Sequence, residues 1–202
     1  MNTKGFDSVI VGDERFKILF SEQQILKRTE ELANQISEEY KNTIPVFIGV
    51  LNGSFLFMSD LIRYVTIDCE IDFFKLSSYG DEKISSGRVK LLKELNCDVN
   101  GRDIIIVEDI VDTGLSVKYI EKLFKKHKPK SMKVVSLLVK QDSLKYDLKI
   151  DYIGFNIPSK FKSPIFPARA RQIWKYSRIF EDFARGKKNI IWLCSIEKTA
   201  IT

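Results

Sequence analysis

Glu108-Asp109, followed by Asp112-Thr113-Gly114-Leu115-Ser116, places two carboxylates just ahead of a polar glycine turn. If a helix starts at that turn, the main-chain N–H groups of Asp112, Thr113, Gly114, Leu115 and Ser116 can converge on one point. The hydroxyls of Thr113 and Ser116 stand beside them, and such a cup suits a phosphate. Gly114 can take a positive φ and bring the backbone close to a ligand. Glu108 and Asp109 are acceptors that repel a bare phosphate, so they require donors: sugar hydroxyls, or water on a Mg²⁺ ion. A phosphorylated sugar meets both demands. Any one of these residues is ordinary in a strand-to-helix turn, but the whole run together is not.

The elements that must hold this run are legible on either side of it. Ile104-Ile105-Ile106-Val107 reads as a strand buried on both faces, as in parallel sheets, and residues 116 to about 127 read as the helix that follows. A polar turn at the carboxyl end of such a strand is where open α/β sheets bind ligands. Residues 45–51 form a second apolar strand, which runs into Asn52-Gly53-Ser54 ahead of an amphipathic helix over residues 55–64. That is a second set of N–H donors. Residues 132–139 form a third buried strand ending at Lys140-Gln141, where a lysine commonly snorkels to solvent. Ser21-Glu22-Gln23-Gln24 has a capping-box pattern and opens a helix with Ile25, Leu26, Leu32 and Ile36 at helical spacing. A strand over residues 68–76, a polar loop over 76–87 and a short strand over 88–92 complete the order. The alternation indicates an α/β fold with a mainly parallel sheet flanked by helices.

Val107-Glu108-Asp109-Ile110-Val111-Asp112-Thr113-Gly114 resembles the phosphoribosyl-diphosphate (PRPP) binding motif of the type I phosphoribosyltransferases, and most of all their hypoxanthine-guanine branch. Other segments carry the same resemblance. Leu51-Asn52-Gly53-Ser54 is similar to the loop that holds pyrophosphate in that family, where a non-proline cis peptide often precedes the second residue, here between Leu51 and Asn52. Many members have Lys or Arg where this chain has Asn52. Ser136-Leu137-Leu138-Val139-Lys140 resembles the segment whose lysine donates to the purine 6-oxo group, which implies that role for Lys140. Gly154-Phe155-Asn156-Ile157-Pro158-Ser159-Lys160-Phe161 resembles the segment whose last Phe stacks on the purine. This implies stacking by Phe161 and a main-chain contact to the base by Lys162. Ser78-Tyr79 matches the dipeptide on the family's mobile loop, whose closure expels water from the reacting centre.

The activity so implied is purine salvage: transfer of the 5-phosphoribosyl group of PRPP to N9 of a 6-oxopurine, giving a nucleoside monophosphate and pyrophosphate with Mg²⁺ as cofactor. Asp112 would be the general acid/base at purine N7. Glu108 and Asp109 would hold the ribose hydroxyls directly or through the metal, and Thr113, Gly114, Leu115 and Ser116 would hold the 5′-phosphate. The fold implied is that of the type I phosphoribosyltransferases, with a smaller hood region. The expected assembly is a homodimer or homotetramer.

The rest of the sequence excludes other chemistries. Three cysteines, Cys69, Cys97 and Cys194, are scattered with no Cys-x-x-Cys spacing, as expected of reduced thiols in a cytoplasmic protein. The single histidine, His127, lies among Lys125, Lys126 and Lys128, which removes Ser-His-Asp and histidine-metal schemes. No stretch approaches the roughly 18 apolar residues of a membrane span, and no repeat or Gly-x-Gly-x-x-Gly fingerprint follows either strand. One domain over residues 1–202 is expected.

Charge breaks the pattern at Phe161. Residues 1–161 carry 24 basic and 24 acidic side chains, whereas 162–202 carry 9 basic and 3 acidic, so the whole net +6 lies in the tail. The family has Gly-Tyr-x-Leu-Asp-Tyr here and then an Arg-Asn-Leu-like segment, whose Asp binds a second Mg²⁺ and whose Arg contacts pyrophosphate. This chain has Lys162-Ser163-Pro164-Ile165-Phe166-Pro167-Ala168-Arg169-Ala170-Arg171 instead. The tail reads as a divergent hood, as a basic nucleic-acid contact, or as the product of a shifted reading frame, which an unbroken frame in the coding DNA would dismiss. Two function classes follow: a salvage enzyme with no nucleic-acid partner, and a PRPP-sensing regulator of the same fold that binds nucleic acid through its tail.

Overall fold

Ile104, Ile105, Ile106 and Val107 are all fully buried, as a strand with sheet neighbours on both sides and covered faces requires. The computed structural model describes residues 8–11, 14–78, 89–93, 95–159, 178–182 and 190–193. In chain order the elements are β1 (Ser8–Val11), β2 (Glu14–Ser21), α1 (Glu22–Glu39), β3 (Val46–Leu51), α2 (Phe55–Tyr64), β4 (Glu70–Ser78), β5 (Val89–Lys93), β6 (Asp103–Val111), α3 (Leu115–Phe124), β7 (Ser131–Val139), β8 (Tyr152–Asn156), β9 (Arg178–Asp182) and β10 (Ile190–Leu193). The chain divides into two compact units, Arg28–Ile157 and Met1–Lys27 with Pro158–Thr202.

The larger unit holds a six-stranded sheet in the order β5-β4-β3-β6-β7-β8. Five adjacent strands, β4-β3-β6-β7-β8, are parallel, and β5 pairs antiparallel with β4. This is the mainly parallel α/β sheet that the sequence implies. The chain enters at β3, moves outward through β4 and β5, then returns to β6 on the other side of β3, which makes the carboxyl ends of β3 and β6 a topological switch point.

Alternate strand residues fill one face. Val46, Ile48, Ile104, Ile106 and Val134 join Val117, Ile120 and Phe124 of α3 in one cluster. Phe47, Ile105, Val107, Val135 and Leu137 point the other way by strand alternation and are equally buried. Helix α2 packs on β3 and β6 with Phe57, Met58 and Leu61 buried. Fully burying one such side chain contributes on the order of 1.5–3 kcal/mol, so many of them stabilise the framework beneath the switch point.

The smaller unit contains an antiparallel sheet ordered β1-β2-β9-β10. Two stretches of the basic tail therefore pair as strands, β9 with β2 and β10 with β9. In the same unit the capping box at the start of α1 forms as its pattern implies: Gln24 N–H donates to Ser21 Oγ (3.3 Å) and Ser21 N–H to Gln24 Oε1 (2.9 Å).

Candidate active site

Strands β3 and β6 are direct neighbours, with Gly49 opposite Val107, so the two glycine turns that follow them come out side by side. The peptide between Leu51 and Asn52 is cis. Beyond it, Ser54 turns back and donates its Oγ–H to Val50 C=O (2.8 Å), and Asn52 is exposed. Gly53 lies directly against the Asp109 carboxylate: a Cβ at this position would sit 2.5–2.7 Å from its atoms. Only glycine leaves room for that carboxylate, so the first turn and the acidic pair form one surface.

The second turn has the geometry of an anion cup. Gly114 takes φ +80°, in the left-handed region, and caps α3. The first intrahelical bond runs from Lys118 N–H to Gly114 C=O (2.9 Å), which leaves the N–H groups of Leu115, Ser116 and Val117 without intrahelical acceptors. Thr113 Oγ1 accepts weakly from Leu115 N–H at 3.4 Å. A cavity of about 100 Å³ opens here, bordered by Glu108, Asp112, Thr113, Gly114, Leu115 and Ser116 among others.

The acidic pair is under electrostatic pressure. Burial first, and then the charge of Asp109, pushes the Glu108 carboxyl well above the usual carboxylate range. Burial likewise lifts Asp109 to about 6, although the main-chain N–H of Ile110 donates to its carboxylate (2.9 Å) and pulls the other way. A cation would relieve both. Among the described residues no group of three or more His, Cys, Asp or Glu side chains could hold a metal by itself. Two carboxylates fit an ion such as Mg²⁺, which keeps several waters and takes other ligands from substrate phosphates.

Lys140 lies at the end of β7, next to β6. Its main-chain N–H donates to Val111 C=O and its Nζ lies 2.9 Å from Asp112 Oδ2. The lysine side chain is only 4% exposed while that of Asp112 is 47% exposed. The general expectation that a lysine here snorkels to solvent is therefore overturned: the cation is turned inward and held by a carboxylate. Of the other site residues named from sequence, Ser78 ends β4, and Tyr79, Phe161 and Lys162 lie outside the described residues.

Two supporting groups carry no motif. Asp72 accepts from the main-chain N–H groups of Phe73 (2.7 Å), Asn96 (2.5 Å) and Cys97 (3.0 Å) and from Lys93 Nζ (3.2 Å), which fixes the chain leaving β5 onto β4. Burial opposes its ionisation, yet these donors hold it down to about 2. Arg28 donates to the carbonyls of Ile153 (2.8 Å) and Gly154 (3.0 Å) and so caps the edge strand β8. An aspartate within a strand and an arginine on a helix give no sequence signal beyond the presence of a charge. Cys97, lifted to about 11 by burial and by Asp72, is no thiolate at neutral pH.

Known proteins resemble this chain over most of its length. The phosphoribosyl transferase domain profile matches residues 16–170. The hypoxanthine-guanine phosphoribosyltransferase of Bacillus subtilis is 46% identical over 145 residues, which cover 72% of this chain and 81% of that one. A solved hypoxanthine-guanine phosphoribosyltransferase from Bacillus anthracis superposes with a TM-score of 0.67 at 43% identity, covering 70% of this chain and 84% of its own. A hypoxanthine phosphoribosyltransferase from Staphylococcus aureus gives 0.68 at 36% identity, covering 72% and 79%.

Proposed function

The chain belongs to the phosphoribosyltransferase family and is a pentosyltransferase of the hypoxanthine-guanine type, and on that premise we propose that it makes nucleoside monophosphates in purine salvage. The substrates are PRPP and a 6-oxopurine, hypoxanthine or guanine; the products are IMP or GMP and pyrophosphate, and the reaction depends on Mg²⁺. The observation that carries this reading is the contact of Gly53 with Asp109, because it joins a pyrophosphate turn, an acidic pair for sugar hydroxyls and a phosphate cup at one switch point.

In the reaction the C1–O bond to pyrophosphate breaks and a C1–N9 bond forms, through a state with oxocarbenium character. Asp112 takes the proton that the purine gives up at N7, for which its carboxylate must come within about 3 Å of that nitrogen. Lys140 donates to the purine 6-oxo group. As it already holds Asp112, the same two side chains grip adjacent edges of one base. Phe161 stacks on the ring, and Lys162 contacts the base through its main chain. The N–H groups and hydroxyls of residues 113–116 bind the 5′-phosphate. Leu51, Asn52 and Gly53 present main-chain donors to the leaving pyrophosphate. Glu108 and Asp109 would hold Mg²⁺ together with the ribose hydroxyls, and the ion when bound supplies positive charge to the leaving group. The family resemblance gives Ser78, the last residue of β4, and Tyr79 after it a part in covering the centre during turnover.

The relatives are named as phosphoribosyltransferases, which supports the enzyme over a nucleic-acid-binding regulator. The test is formation of nucleoside monophosphate from PRPP with hypoxanthine, guanine and xanthine, with and without Mg²⁺. Metal-dependent turnover with hypoxanthine or guanine is expected. No turnover, with PRPP binding retained, would instead favour the regulator. Among the described residues no helix is long and apolar enough to cross a membrane. The homodimer or homotetramer that the family resemblance implies is testable by light scattering.

A further inference from the structure

Nothing in the phosphate turn's own sequence explains how Gly114 is held, yet its surroundings do. A Cβ on Gly114 would collide with Leu148 and would lie 3.5 Å from Leu144. Both leucines come from the stretch after β7, outside either motif, and both pack against the core that includes Val111 and Val117. In the same stretch Lys145 N–H donates to Thr113 C=O at 3.1 Å. The C=O and N–H of a trans peptide point in opposite directions. Fixing the Thr113 carbonyl on residue 145 therefore turns the Gly114 N–H away from that stretch and to the side where the cavity opens. Lys140 adds two more ties, its N–H to Val111 C=O and its Nζ to Asp112. Every residue from 111 to 114 thus has a partner in residues 140–148.

We propose that residues 140–148 form a backing for the anion cup, and that Leu148 is a positioning residue for binding the sugar 5′-phosphate. Leu148 does not touch the ligand. It stops Gly114 from relaxing outward, so the N–H groups keep the convergence that a phosphate needs without being ordered at the moment of binding. The proposal rests on the reading of this turn as a sugar-phosphate cup.

The test compares wild type, Leu148→Ala, Leu148→Val and Leu148→Met. Ribose 5-phosphate binding is measured by calorimetry, alongside steady-state KM for PRPP and purine, kcat, and thermal melting. Leu148→Ala should weaken ribose 5-phosphate binding and raise KM for PRPP by about ten-fold, with purine KM and kcat within about two-fold, as expected when only preorganisation is lost. Leu148→Met, which keeps the volume, should restore most of the loss. Should Leu148→Ala not fold, Leu148→Val should still show a smaller weakening of the same kind. Unchanged ribose 5-phosphate affinity in the variants, equal losses for purine and PRPP, or no rescue by Met would each overturn the backing role while leaving the cup intact. Failure of wild type to bind ribose 5-phosphate would overturn the cup reading and the backing role together.

Discussion

Lys140 Nζ and Asp112 Oδ2 lie 2.9 Å apart, joining the carboxyl ends of two neighbouring parallel strands by a cation that is almost wholly buried and a carboxylate that is half exposed. The lysine cannot leave without stranding a charge, whereas the aspartate faces solvent and can turn toward a ligand. The proposed division of labour follows: Lys140 is the fixed donor and Asp112 the group that exchanges a proton.

Asp112→Asn keeps the shape and one acceptor but removes the base. Turnover should fall by about 10²-fold or more while PRPP binding is largely retained. Rates of monophosphate formation set beside PRPP titrations check this, and unchanged turnover would take Asp112 out of the role.

Gly53→Ala puts a methyl group where the Asp109 carboxylate sits. The carboxylate is the movable partner, so it should swing away and spoil the acidic pair before the fold gives way. KM for PRPP should rise at least about ten-fold, while the melting temperature drops by only a few degrees, the scale of roughly 1 kcal/mol of overpacking. A variant with normal PRPP kinetics would mean that the contact is dispensable.

Asp109 gives a pH signature. Burial lifts its carboxyl to about 6, above the ordinary 3.8, so the folded state holds the proton more tightly than the unfolded chain does. Its stabilising contribution is present below pH 3.8 and is lost as pH rises through about 6. Glu108 acts in the same direction. Relative to Asp109→Asn, the wild-type melting temperature should therefore decline between pH 4 and 7. On the proposed function Mg²⁺ would be held by the ionised form, so Mg²⁺-dependent PRPP binding should weaken as pH falls from 7.5 to 5.5.

Asp72 titrates with the opposite sign. With a folded value of about 2, its contribution is present above about pH 3.8 and disappears as pH falls toward 2. Asp72→Asn should cost roughly 2 kcal/mol at pH 7, and the difference from wild type should shrink steadily below pH 4. Urea denaturation at pH 7 and pH 3 measures both.

The helix over residues 55–64 and the strands at residues 104–107 and 132–139 were legible because their apolar patterns are local and strong. Element ends moved by a few residues: α3 stops at Phe124 and passes into a short 3₁₀ turn through His127. The strands β9 and β10 could not be read from the basic tail, because antiparallel pairing is decided by the partner strand, and β9 pairs with β2, near the other end of the chain.

The buried parallel strands, the two glycine turns and the residue types of the cup can be read from the chain alone, since they follow from side-chain periodicity and, at Gly114, from the backbone freedom of glycine. That Asp109 rests on Gly53, that Lys140 turns inward to Asp112 and that Leu148 stands behind Gly114 comes from the folded chain. Each of these pairs joins residues separated by at least 28 positions. Their meeting depends on which strands are neighbours in the sheet and on where the loops return, and no local pattern of residues encodes either.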